Sequence, residues 1–229
     1  DKINKVAFKH KLNVIEDAAQ SFGAKYKKKF SCNLSTVGCT SFFPSKPLGS
    51  YGDAGAIFTN NKKLFTKMKS IRIHGQYKKN RHDILGLNGR IDTIQCAVLL
   101  AKIKNFTNEL RLRKIKYLYY RNFFLKNNFK NIKLIKYESF GRSAFAQFCI
   151  LTKKRKFLID KFKKHKIPYA IYYPKPMDKQ KVFELKNSST NNKSIKASKE
   201  IISIPFGPYI TKKEQNKVLK VFLKYKKYL

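Results

Sequence analysis

Lys46 stands apart from every other lysine in the chain. Between Lys29 and Asp53 it is the only charged residue, in a sequence of 229 residues with 52 Lys and Arg and 13 Asp and Glu. Its apolar neighbours Phe42, Phe43 and Leu48 penalise an ammonium and favour the free amine that covalent chemistry uses. A residue that precedes proline is biased toward extended backbone, so Lys46, between Pro44 and Pro47, is expected in a stiff loop. The same spacing also suits a loop lysine whose head lies in water. A second candidate is Asp17, which closes the run Leu12-Asn13-Val14-Ile15-Glu16-Asp17. That run reads as a short buried strand ending in two carboxylates. Open α/β sheets bind ligands beyond the carboxyl ends of their strands, so Asp17 is expected at a crevice.

These residues need elements to hold them. Ile3, Val6, Ala7 and His10 recur at helical spacing ahead of the first strand. Residues 37–43 and 55–59 read as two further strands, separated by the Pro, Gly and Ser-rich loop that carries Lys46. Leu64, Phe65, Met68 and Ile71 predict a helix, followed by a Gly-punctuated stretch over 74–90. From 91 to about 127 a helical period persists through Ile94, Val98, Leu99, Ile103, Phe106, Leu110 and Leu118, which predicts a long helix or a kinked pair. The last third reads as a smaller α/β domain, with a strand over 144–151, a helix around Leu158, Ile159 and Phe162, and an extended segment over 167–174. Residues 187–192 read as a polar surface loop. Thr211 and Glu214 form a capping box, with Val218, Val221 and Phe222 on the inner face of the helix they open.

Composition sets bounds on function. A formal charge of +39 points to polyanions when taken alone, yet Lys recurs along almost every predicted helix instead of clustering in one stripe. A solvated lysine-rich surface accounts for this better than a specific nucleic-acid site. Single-strand binders interleave aromatics with basic residues on an exposed platform, whereas here the aromatics are expected mostly on inward positions. Cys32, Cys39, Cys96 and Cys149 are scattered without metal spacing and are expected to be buried free thiols. No apolar run suits a membrane span or a leader peptide, so a cytoplasmic protein is expected.

An acid that keeps a pyridine nitrogen protonated and a lysine that forms an imine are what pyridoxal phosphate requires, and Asp17 and Lys46 fit those roles. At this point the sequence resembles the fold-type I sugar aminotransferases of the DegT/DnrJ/StrS group. The resemblance is carried by residues 14–24, by Thr40-Ser41-Phe42-Phe43-Pro44-Ser45-Lys46-Pro47-Leu48-Gly49, and by Gly52-Asp53-Ala54-Gly55-Ala56. It continues through Ile71-Arg72-Ile73-His74-Gly75-Gln76 and residues 87–95 into Tyr172-Tyr173-Pro174 and Pro205-Phe206-Gly207-Pro208. It implies an α/β fold-type I transferase: residues 1–105 as the C-terminal part of a cofactor-binding large domain, 106–130 as a connecting helix, and 131–229 as a small α/β domain.

The resemblance also implies roles. Lys46 resembles the imine lysine, Asp17 the partner of the pyridinium nitrogen, Gln20 a residue at the cofactor ring, and Ser41 a phosphate ligand. Asn88 resembles a residue lent across a homodimer to the neighbour's cofactor phosphate. Arg90 resembles a contact to the sugar or donor carboxylate, although an ion pair with Asp92 serves equally well. Glu16 is expected to be structural, and His74 and His82 to be loop or core residues. The implied reaction moves an amino group from glutamate to a nucleotide-linked keto sugar, with the wording of the Lys46 and Asn88 motifs most like enzymes of UDP-linked 3-oxo sugars; 4-oxo sugars are the alternative. A relative without catalysis, or a basic nucleic-acid-binding protein, are the competing classes. Only about three large-domain strands are legible, and the resemblance implies an upstream phosphate-binding loop, so this chain is expected to be an incomplete enzyme when isolated.

Overall fold

The computed structural model describes residues 1–136, 141–183 and 192–229. The helical spacing near the start forms α1 (Lys2–Lys9), and a loop leads to β1 (Ile15–Asp17). The hairpin β2 (Lys25–Tyr26) and β3 (Lys29–Phe30) turns at Lys27, whose φ is +53°. Next come β4 (Val37–Ser41), β5 (Gly55–Phe58), and α2 (Lys62–Ile71), where the Asn61 side chain accepts the Leu64 N–H at 3.1 Å. β6 (Gln76–Lys78) and β7 (Arg81–His82) form a second hairpin. The long period then becomes α3 (Thr93–Asn127), one 35-residue helix. The remainder comprises β8 (Ile132–Leu134), β9 (Gly141–Arg142), β10 (Phe148–Thr152), α4 (Arg155–Lys164), α5 (Asn192–Glu200), β11 (Ile201–Ile204) and α6 (Lys212–Lys224).

The chain divides into two compact units. The first comprises Asp1–Leu110 and the described part of Glu138–Ala146; the second, Arg111–Tyr137 and Gln147–Leu229. In the first unit, β1 pairs parallel with β4 and β4 pairs antiparallel with β5. β9 joins the β2–β3 hairpin as an antiparallel third strand. Phe42, Leu48 and Phe106 form a small buried cluster against which Phe22, Leu99 and Leu110 pack. Much apolar surface of this unit lies outside that cluster: Ile3, Phe8, Ile15, Phe65 and Ile94 are all exposed.

The second unit is built on an antiparallel sheet in the order β11–β10–β8. Its core runs from Tyr120 and Phe124 through Phe148, Ile150, Leu158, Phe162 and Ile202 to Val218, Val221 and Phe222. Phe124 and Phe222 meet edge to face with centroids 4.9 Å apart. Tyr120 is fully buried, and its hydroxyl donates to the Pro205 carbonyl at 3.0 Å. Gln215, also buried, donates its amide to the Lys116 carbonyl at 3.0 Å, so both of these buried polar groups find partners. The predicted capping box is present: Thr211 Oγ1 accepts the Glu214 N–H at 3.2 Å, and the Glu214 carboxylate accepts the Thr211 N–H at 2.7 Å.

The structure departs from expectation in several places. The first strand is three residues long instead of six, and Ile15 is 71% exposed where a buried strand was expected, because β1 forms one edge of its sheet. The strand predicted over 144–151 begins only at Phe148, since Phe145 has a φ of +48° and its N–H bonds to Ser143 Oγ at 3.0 Å. Residues 167–174 contribute one bridge, Ala170 to Ser203, and no strand. Of the predicted loop at 187–192, all but Asn192, which opens α5, lies outside the described residues. Many aromatics of the second unit are inward, but that unit exposes Tyr173, Tyr209 and Tyr228, and the first exposes Phe8, Phe30, Tyr51 and Phe65. No helix among the described residues is long and apolar enough to cross a membrane.

Phe222→Ala is expected to destabilise the second unit by about 3–5 kcal/mol, through lost transfer energy and the cavity left behind. Thr211→Ala, which removes one cap, should cost about 1 kcal/mol. Urea unfolding followed by circular dichroism reads both; equal losses would show that the cap and not the core holds α6.

Candidate active site

A parallel strand pair brings two carboxyl ends side by side. β1 lies in register with β4, with Asp17 opposite Cys39, so that Asp17 and Ser41 both stand where their strands end. The pairing is locked just past the strand by the Ala18 N–H on the Cys39 carbonyl at 2.7 Å and by Thr40 Oγ1 on the Ala18 carbonyl at 3.1 Å. Asp17 is exposed, and its Oδ1 accepts the Ala19 N–H at 3.0 Å. Gln20 follows in an exposed turn. Ser41 Oγ accepts the Phe43 N–H at 3.2 Å, which leaves its own proton free to donate.

The loop after β4 folds back on itself. The Lys46 N–H bonds to the Phe43 carbonyl at 2.9 Å, and the Ser50 N–H to the Phe42 carbonyl at 2.8 Å. Ser50 is buried, and its hydroxyl lies 2.7 Å from the Phe42 carbonyl and 2.6 Å from that of Gly52. A Cβ at Gly49 would come within 2.4 Å of the Pro44 carbonyl oxygen, so this close return needs glycine. From α3, Gln95 Oε1 accepts the Tyr51 N–H at 2.7 Å and Lys102 Nζ donates to the Gly49 carbonyl. Pro47 and Leu48 are buried, Lys46 is half-buried, and Phe43 is exposed, so the apolar setting expected around Lys46 is present on one side only.

The remaining two candidates lie on a different loop. Asn88 is bridged to Ile73 across the segment that follows α2, and Arg90 stands two residues on. Among the described residues no hydrogen bond joins either to Asp17, Ser41 or Lys46. The guanidinium of Arg90 lies 3.2 Å from His74 Nε2, so it turns to His74 instead of forming the considered pair with Asp92. Glu16 is structural, as expected: its two carboxylate oxygens accept the N–H groups of Cys32 at 3.0 Å and Leu34 at 3.2 Å. Sequence reading did not single out Ser50 or Lys102, and His74 stands in an exposed turn, in keeping with the loop expected of it. A buried serine between two glycines-to-be-packed has a local signal in Gly49-Ser50-Tyr51-Gly52, whereas the contacts of Lys102 and His74 have none.

All four cysteines are free, but only Cys32 is buried; Cys39, Cys96 and Cys149 are half-buried. Burial pushes the Cys32 thiol up to about 11, with the nearby Glu16 charge and Cys39 adding to the shift. Burial first, and then the Asp17 charge, also raises the Cys39 thiol.

An exposed carboxylate and a hydroxyl with a free proton at the ends of one parallel strand pair, with a half-buried lysine in the loop that leaves it, match what pyridoxal phosphate needs: a partner for a ring N–H, a donor to phosphate, and an amine for its aldehyde.

The sequence profile of the DegT/DnrJ/EryC1/StrS aminotransferase family matches residues 1–223. UDP-2-acetamido-2-deoxy-3-oxo-D-glucuronate aminotransferase of Pseudomonas aeruginosa is 42% identical over 92% of this chain and 57% of its own length. Among solved structures, a DegT DnrJ EryC1 StrS aminotransferase from Brucella abortus is 33% identical with a TM-score of 0.89, over 98% of this chain and 60% of that one. NtdA from Bacillus subtilis with bound cofactor PMP is 27% identical with a TM-score of 0.87, over 98% of this chain and 53% of that one. The chain thus spans a little over half the length of the relatives it matches.

The raised Cys32 thiol has a definite pH signature. Because its folded value is raised from 9.0 to about 11, the stability it contributes is fully present below pH 9 and is lost as pH rises through about 11. Iodoacetamide labelling with peptide mapping at neutral pH should find Cys32 almost unmodified while the native fold persists. Rapid native-state alkylation there would contradict the burial. Glu16→Ala, which frees the Cys32–Leu34 segment, is expected to accelerate it.

Proposed function

We propose that this chain, which belongs to the DegT/DnrJ/EryC1/StrS aminotransferase family, moves an amino group from glutamate to the keto carbon of a nucleotide-linked sugar, with pyridoxal phosphate as its cofactor. The observation that carries the reading is the β1–β4 register, which sets Asp17 and Ser41 at adjacent strand ends and starts the Lys46 loop from the second of them. The relative from Pseudomonas aeruginosa, at 42% identity, supports a UDP-linked 3-oxo sugar as the acceptor. The product would feed surface polysaccharide or other amino-sugar synthesis in the cytoplasm.

Each residue has a physical task in this reading. When bound, pyridoxal phosphate supplies an electron sink that acidifies the C–H bond beside the nitrogen of the substrate. The Asp17 carboxylate holds the proton on the ring nitrogen, and Gln20 packs at the ring. The Ser41 hydroxyl donates to the phosphate. Lys46 Nζ would be the amine that holds the cofactor and, once free, the base that takes the proton from the substrate carbon and returns it on the sugar side of the reaction. Asn88 reaches the cofactor phosphate of a second copy, which makes the working unit a homodimer, and Arg90 receives a carboxylate. The domain limits follow the same reading: residues 1–105 as part of the cofactor domain, 106–130 as the connection, and 131–229 as the small domain.

Two measurements on the intact protein test this. Borohydride reduction and peptide mapping should place the cofactor mass on the Lys46 peptide, and label on any other lysine removes that assignment. Asp17→Asn should retain cofactor yet slow the glutamate-dependent change of the visible spectrum by about 100-fold or more, because an amide cannot hold the ring proton. Near-normal turnover by that variant would take Asp17 out of the role.

A further inference from the structure

The segment after α2 is a tightly braced pair of arms. The Leu87 N–H bonds to the Ile71 carbonyl at 2.8 Å, the His74 N–H to the Leu87 carbonyl at 3.1 Å, and the Gly89 N–H to the Arg72 carbonyl at 2.9 Å. The His82 ring donates from Nδ1 to the His74 carbonyl at 2.9 Å. His74 itself has a φ of +63°, and the arms approach so closely that a Cβ at Gly86 would fall 2.0 Å from the Gly75 nitrogen. This frame sets Leu87 opposite His74 and Asn88 opposite Ile73, with Arg90 two residues beyond Asn88 on the same arm.

On the frame, His74 Nε2 and the Arg90 guanidinium lie 3.2 Å apart. A guanidinium has donors only, so Nε2 must accept and the imidazole proton must sit on Nδ1. One N–H of Arg90 is thereby committed, and the planar fork keeps further N–H groups for a two-point grip on a carboxylate. A long, exposed arginine otherwise loses rotamer freedom each time it binds.

We propose that His74 is a positioning residue for substrate recognition: it holds the Arg90 fork in the orientation that receives the carboxylate of the sugar substrate. His74 touches neither the reacting carbon nor the cofactor in this role. The proposal rests on the reading of Arg90 as the carboxylate contact, and it makes His74 a determinant of preference for a uronate over a neutral hexose.

The experiment compares two UDP-linked 3-oxo sugars, one with a C6 carboxylate and one with a hydroxymethyl group there, on the intact protein and on His74→Ala, His74→Gln and Arg90→Ala. His74→Ala should raise KM for the uronate about tenfold, leaving kcat and the neutral sugar within about twofold. In His74→Gln the amide oxygen stands where Nε2 stood, so KM should return to within about threefold of the starting value. Nitrogen NMR of the unsubstituted protein near pH ~8 should find His74 protonated on Nδ1 and bare on Nε2. A proton on Nε2, no rescue by Gln, or equal losses on both sugars overturns the proposal. If Arg90→Ala removes the preference for the uronate while His74→Ala does not, the proposal alone fails. If Arg90→Ala also leaves the preference unchanged, the underlying reading of Arg90 is wrong and the proposal falls with it.

Discussion

The parallel pairing of β1 with β4 is the constraint on which the candidate site depends. A slip of one residue would send Asp17 to the other face of the sheet and carry Ser41 away from it. The register is held by contacts outside the ladder. Gly38, opposite Glu16, has no side chain because a Cβ there would fall 2.4 Å from the Cys32 Cα, and the space admits the crossing segment that Glu16 then grips through Cys32 and Leu34. Glu16 and Asp17 are adjacent carboxylates on opposite faces with opposite tasks. One satisfies backbone donors inside the unit, and the other keeps an oxygen turned outward.

The two units differ in how they hold together. The second has a continuous apolar core of aromatic and aliphatic side chains with its buried hydroxyl and amide groups partnered. The first relies, among its described residues, on Phe42, Leu48 and Phe106 together with backbone bonding, and leaves large side chains such as Phe8 and Ile15 in water. A polypeptide with that much apolar exposure gains stability from any cover it receives, and the chain corresponds to a little over half of each relative it matches. Surface ion pairs such as Arg81 with Asp83 add little, since both partners are solvent-exposed.

What the sequence disclosed was local. The helical period of α3, the cap at Thr211 and the stiff loop around Lys46 are set by residues within a few positions of one another, and each was legible. Which face of β1 lies covered was not, because burial depends on neighbours distant in the chain; hence Ile15 read as core and is exposed. The same limit hid β8 and β11, whose short runs are ambiguous until β10 supplies a partner strand. His74 read as a loop or core histidine, and its contact with Arg90, 16 residues away across a turn held by two glycines, had no local signal.

The core of the second unit is assembled from sequence-distant pieces, and this has a consequence during synthesis. Tyr119 on α3 pairs with Asn216 on α6, 97 residues later. At roughly 5–20 residues per second on the ribosome, Tyr120 and Phe124 would wait roughly 5–20 s for Phe222 to emerge and cover them. Phe148, which also packs on Tyr120 and Phe124, emerges sooner, so through the rest of that interval the side of α3 that α6 later covers stays open on the nascent chain, the kind of segment that holding chaperones engage.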